Sequence, residues 1–176
     1  MHKKTTLVVV SFWVLFFLAC TGKVKTQSSE KSIIDKHYKF SAIIITLGPE
    51  AKKKLRKNRS FSVKKMQAAS YEVFIARKLL SDTSPYNVYF HITDLRARTT
   101  AGAVILGPLG GKDLLVGEVV VKDPAGKVLE KFTVRTSYSL GGVATGLKQV
   151  RMTWLYKKFA ILAANTFQGT PDYHGK

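Results

Sequence analysis

Cysteine is nearly absent: Cys20 is the only one in 176 residues. No intramolecular disulfide can form, so stability has to come from packing. Acidic residues are scarce too, 11 Asp and Glu against 29 Lys and Arg, leaving a formal net charge of +18. A balance that far from zero implies contact with something anionic. Long apolar runs are missing. Leu7 to Ala19, interrupted only by Ser11, makes roughly 20 Å of helix at about 1.5 Å per residue, short of a hydrocarbon core about 30 Å thick. His2, His37, His91 and His174 are scattered singly, and His91 falls on the polar side of a strand pattern, so no metal is expected. There is no GxxxxGK[ST] phosphate loop, since Lys112 is followed by Asp113, and no other cofactor is expected.

What is present begins at the N-terminus. Lys3 and Lys4 precede the apolar run, which closes on Phe17-Leu18-Ala19-Cys20. That is the layout of an export signal with a small residue at the cut. The cysteine after the cut resembles the lipobox of bacterial lipoproteins, with Phe17 standing where leucine is usual. The resemblance implies that the thiol of Cys20 carries a diacylglyceryl group and becomes the lipid attachment site. Thr21 is not aspartate, which by the same resemblance implies the outer membrane. Removing residues 1–19 takes Lys3 and Lys4 and no acid, lowering +18 to +16. Behind an export signal the available polyanions are anionic lipid headgroups, lipopolysaccharide and other envelope polymers. These, a membrane reached through the lipid anchor, or an envelope protein are the expected partners, and nucleic acid is not.

Residues 20–34 carry one valine before Ile33 and otherwise small or polar side chains as far as Ser32, and are expected to be a flexible tether. One domain is expected over 35–168, followed by a polar tail, 169–176. Its first element is His37 to Leu47, with Ile43-Ile44-Ile45-Thr46 reading as a buried strand. Pro49-Glu50-Ala51 can begin a short helix. Lys52, Lys53, Lys54, Arg56, Lys57 and Arg59 fall within eight residues and are the anion-binding candidates; the plain alternative is a solvated helix face or loop.

Ser62 can cap a helix over Val63–Leu80, with Met66, Ala69, Val73, Ala76 and Leu80 on one face and Phe74, Ile75 and Leu79 widening it. Tyr86 to Arg98 alternates as a strand, with Val88, Phe90 and Ile92 on one side. Residues 99–112 are glycine-rich and apolar, and the small residues Ala103, Gly107 and Gly111 invite a helix-packing reading. Pro108 inside that frame favours a loop or bulged strand end. Leu114–Val121 and Val128–Thr136 form a hairpin around Asp123-Pro124-Ala125-Gly126-Lys127. After a second glycine-rich patch, Ser139–Gly146, a final helix is expected over Leu147–Phe167. Val150, Trp154 and Ile161 share a face with Leu147, and Lys148, Arg151 and Lys158 line another. Trp154 and Val73 are expected to pack on the same sheet.

The span from Tyr86 to Phe167 resembles a family of uncharacterised bacterial lipoproteins classed as a domain of unknown function. The shared features are the segment ending Leu95-Arg96-Ala97-Arg98, the glycine-rich insert, the Asp123–Lys127 turn and the glycines Gly141, Gly142 and Gly146 before the last helix. The basic block at 52–59 departs from the family pattern. The resemblance carries no catalytic residues.

The expected fold is α+β, an antiparallel sheet of about four strands with two helices packed on one face. The expected function is that of a non-enzymatic envelope lipoprotein whose basic domain docks on an anionic polymer, lipid surface or partner protein. The alternative is a structural subunit of an envelope assembly, using sheet edges or the glycine-rich loops. An enzyme would require a basic pocket around a paired carboxylate, and the acids closest together are Asp113, Glu118 and Asp123.

Overall fold

Alternation along Asn87–Arg96 puts Val88, Phe90 and Ile92 on one face of a strand, and all three are fully buried. The rest of the fold is laid around that strand. The computed structural model describes residues 20–26, 38–57, 60–140 and 147–170. The expected signal peptide, tether residues 27–34, Arg59, residues 141–146 and tail residues 171–176 lie outside the described residues.

In chain order the elements are β1 (Cys20–Thr26), β2 (Ala42–Leu47), α1 (Pro49–Lys57), α2 (Val63–Ala76), β3 (Asn87–Arg96) and α3 (Thr100–Leu106). A 3-10 turn (Gly107–Gly110), β4 (Asp113–Lys122), β5 (Val128–Tyr138) and α4 (Lys148–Phe167) follow. The sheet order is β1-β5-β4-β3-β2. β1–β5, β5–β4 and β4–β3 are antiparallel, whereas β2 and β3 are parallel.

The expected sheet of about four antiparallel strands is therefore corrected to a mixed sheet of five, and the expected two helices to four among the described residues. Both differences have a physical origin. β2 and β3 are joined through α1 and α2, and a long helical crossover returns the chain in the same direction, where a tight turn would reverse it. β1 was expected as tether because CTGKVKT has no apolar alternation. An edge strand needs little of it: its ladder to β5 comes from the backbone, and Val24 packs on the core.

α2 and α4 lie side by side on the sheet face carrying Val88, Phe90, Leu115, Val119, Phe132 and Val134. Phenylalanines fill the interlayer. Phe74 stands edge-on to Phe90 at 5.9 Å and to Phe167 at 6.2 Å, and Phe90 meets Phe159 at 5.2 Å. Contacts of this kind add about 0.5–1.5 kcal/mol each beyond area burial.

α2 is capped by the Ser62 hydroxyl, which accepts from the Lys65 N–H at 3.3 Å. It ends at Ala76, four residues before the expected Leu80, because Lys78 turns left-handed at φ 56°. The Leu79 N–H then reaches back to the Phe74 carbonyl and the Lys78 N–H to that of Ile75, a Schellman close. Residues 99–112, expected as a loop or bulged strand end, instead hold α3 and the 3-10 turn. The turn folds back so tightly that a Cβ on Gly110 would stand 2.8 Å from the Gly102 carbonyl oxygen. Small residues there serve a local helix–turn contact.

Candidate functional site

The first candidate residue, Cys20, opens β1 directly opposite Tyr138 of β5. The described part of the sheet thus begins at the cysteine itself. Two residues on, Gly22 passes beneath α4: a Cβ there would come within 2.5 Å of the buried Leu162 Cδ1 and 3.1 Å of Lys158 Cε. A side chain at 22 would push the edge strand off the helix.

The basic block is mostly gathered by α1. Ala51 is buried and Leu55 half-buried, so the helix sits with one side down. Lys52, Lys53, Arg56 and Lys57 occupy the opposite side, all exposed and one helical turn apart in pairs. Lys54 differs: its ammonium is paired with Asp94 of β3. Five of the six expected residues therefore share one helix, four of them form a solvent-facing basic surface, and Arg59 lies outside the described residues.

The three acids that an enzyme reading would use are each held by the scaffold. Asp123 closes the hairpin turn, its Oδ1 accepting from the Lys127 N–H at 2.9 Å. Glu118 pairs with Lys131 across β4 and β5 at 2.8 Å. Asp113 is fully buried between two arginines. Its Oδ1 accepts from the Arg98 N–H at 2.7 Å. Its Oδ2 accepts from Arg151 Nε at 2.9 Å and from Arg98 Nη2 at 3.1 Å.

Arg151 Nη2 in turn donates to the Arg98 carbonyl at 2.8 Å, and Arg98 Nη2 to that of Leu140 at 3.0 Å. This clasp joins the end of β3, the start of β4, the exit of β5 and the first turn of α4. With Asp113 and Arg151 at 0% exposure and Arg98 at 6%, it is sealed from solvent. It is a paired carboxylate in a basic setting, buried among the described residues.

Arg151 was expected on a charged outer face, and the clasp shows why it is not there. The buried face of α4 is Arg151, Met152, Leu155, Tyr156, Phe159, Leu162, Ala163 and Phe167. The expected apolar face is largely outward: Leu147 and Val150 are exposed, and Trp154 and Ile161 line an open groove with Lys157 and Lys158. Trp154 still packs its ring edge on Tyr138 at 5.3 Å, and Val73 is likewise half-buried at the margin of the core.

Three further residues escaped the sequence reading. Ile105, Leu106 and Leu109, on α3 and the 3-10 turn, are 79%, 53% and 94% exposed. Their signal was the Val104-Ile105-Leu106 run beside Leu109, read as apolar loop.

No protein-family model and no curated protein matches the chain. Among solved structures, the fold is similar to a point variant and the parent form of the PelC dodecamer from Paraburkholderia phytofirmans. Their TM-scores are 0.49 and 0.47 at 12% and 14% identity, covering 84% of this chain and 98% of that chain in both cases. It is also similar to a minor lipoprotein from Acinetobacter baumannii, with a TM-score of 0.42 and 13% identity over 76% of this chain and 94% of that one. A likeness of this degree stops at the outline of the fold. The lipoprotein-family resemblance read from the sequence thus rests on its motifs.

Among the described residues no group of His, Cys, Asp and Glu is placed to hold a metal ion. No described helix is long and apolar enough to cross a membrane. His91, expected on a solvent face, is half-buried and bonds Thr46 Oγ1 through Nδ1 at 2.9 Å.

Proposed function

We propose that the protein is a non-enzymatic envelope lipoprotein, anchored through Cys20 at the periplasmic face of an outer membrane, whose basic domain docks on an anionic envelope surface. The observation that carries the reading is the position of Cys20. The sole cysteine closes the export-signal pattern and is also the first residue of β1, so processing before it would remove the apolar segment and retain all five described strands. The exposed cations of α1 supply charge for docking, and the scaffold roles of Asp113, Glu118 and Asp123 support a non-catalytic domain.

The test is fractionation of the wild type and Cys20→Ser after growth with labelled palmitate. Wild type takes up label and stays with membranes through a high-salt wash. Cys20→Ser takes up none and leaves the membrane fraction or accumulates as precursor, because one acyl chain binds only marginally whereas the two of a diacylglyceryl group, at about 0.8 kcal/mol per buried CH₂, retain the protein. A variant that is processed normally and still sediments would disprove the anchor.

A further inference from the structure

Cys20 and the exposed apolar residues of the α3 insert lie at the same end of the sheet. Cys20 pairs with Tyr138, and Tyr138 with Asp113, so Cys20 stands two strands, about 10 Å, from the start of β4. The 3-10 turn that carries Leu109 ends only three residues before Asp113. Arg96 at the end of β3 pairs with Leu114, which pairs with Ser137, which pairs with Thr21. Both ends of the insert therefore sit level with the first residues of β1.

The insert presents Ile105, Leu106 and Leu109 to solvent, Leu109 almost completely. A soluble surface seldom holds three large aliphatic side chains so close together without a use for them. Arg96 and Lys112, which flank the insert, are both exposed. An apolar tip with cations at its base matches a bilayer surface, where aliphatic groups enter the acyl region and long basic side chains stay at headgroup level. The position of the anchor selects that occupant. A lipid on Cys20 would leave no slack between acyl chains and sheet, so this end of the domain would rest on the leaflet.

We propose that Ile105, Leu106 and Leu109 insert into the membrane leaflet that holds the Cys20 lipid, with Arg96 and Lys112 on its anionic headgroups. The domain then stands on the membrane by this end, with the Asp123–Lys127 hairpin turn pointing away. The proposal rests on the lipoprotein reading, and the experiment separates the two.

Full-length protein carrying Leu109→Trp is purified from membranes and reconstituted into phosphatidylglycerol-containing vesicles whose acyl chains are brominated. Ile105→Trp provides an independent probe of the tip, and Ala125→Trp marks the opposite end. The parent signal is subtracted, and palmitate label is measured on the same material. Fluorescence of both tip probes should shift to the blue and be quenched by the brominated chains, while Ala125→Trp stays unshifted and bright. Palmitate-labelled protein whose tip probes remain unquenched overturns the docking and leaves the lipoprotein reading standing. A blue shift without quenching puts the tip against a second copy or another protein and overturns it equally. Unlabelled protein that fails to associate with vesicles removes both readings.

Discussion

A carboxylate with two guanidinium groups, all withdrawn from water, carries a net charge of +1 into the core of this domain, and Arg151 Nη1 has no hydrogen-bond partner among the described residues. The three members are not equivalent. Asp113→Asn leaves two buried cations facing one another and should cost about 3–5 kcal/mol, as breaking a buried ion pair does. Arg151→Met leaves Asp113 and Arg98 as a neutral pair and relieves the surplus charge, at the expense of two hydrogen bonds, one to Asp113 Oδ2 and one to the Arg98 carbonyl. Its cost should be smaller, because no charge is left unpaired. Urea denaturation of the two variants checks the order, and an equal loss would mean that the surplus charge is compensated elsewhere.

Tyr156 supplies a second residue-level expectation. Burial pushes its hydroxyl from 10.0 up to about 12, against the opposing hydrogen bond it accepts from the Ser62 N–H. Between those values the unfolded chain has lost the proton and the folded chain keeps it. The contribution is therefore intact below pH 10 and declines as pH rises toward 12, by about 3 kcal/mol in all. The stability gap between wild type and Tyr156→Phe should narrow above pH 10, and a constant gap would contradict the burial argument.

At the scale of elements, α2 carries a flaw that can be repaired. Its Schellman close needs a left-handed residue, and lysine holds the position at φ 56°. A Cβ in that region costs about 1 kcal/mol, part of which glycine returns as extra freedom in the unfolded chain. Lys78→Gly should stabilise the domain by about 0.5 kcal/mol and raise the melting temperature by a few degrees. A lower melting temperature would show that the lysine side chain does something the backbone does not reveal.

Other elements show what was legible in the sequence and why. β3, the β4–β5 hairpin and the Ser62 cap follow from local pattern, since alternation, turn chemistry and capping act within a few residues. The α4 face was misjudged because its stripe of Leu147, Val150, Trp154 and Ile161 is as regular as the buried one, and because Arg151 counts as polar until Asp113 is known to lie opposite. β1 left no pattern, being fixed by a partner more than a hundred residues away. Of the candidate site, the clustering of basic residues could be read directly. Their division into an exposed four and a paired Lys54 depends on Asp94, forty residues on in the chain.

On the scale of the whole molecule, pairing consumes much of the small acidic complement: Asp94 by Lys54, Glu118 by Lys131, Glu72 by Lys157, and Asp113 by its two arginines. The four cations on the outer side of α1 have no ion-pair partner among the described residues. Crowded within a screening length of about 8 Å, they repel one another until an anionic surface approaches. Each such group contributes about 1 kcal/mol near charged headgroups, and the four on one helix face can meet the same surface together. The unlipidated domain starting at Cys20, which retains all of β1, should therefore co-sediment with anionic vesicles and release as salt rises. Changing Lys52, Lys53, Arg56 and Lys57 to Gln should abolish that binding with little change in melting temperature, because none of the four is buried. The same changes should weaken binding to lipopolysaccharide, whose phosphates present the same chemistry. Binding that survives both the substitutions and high salt would move the electrostatic contact off α1, and a domain that never binds would reduce the block to solvated surface.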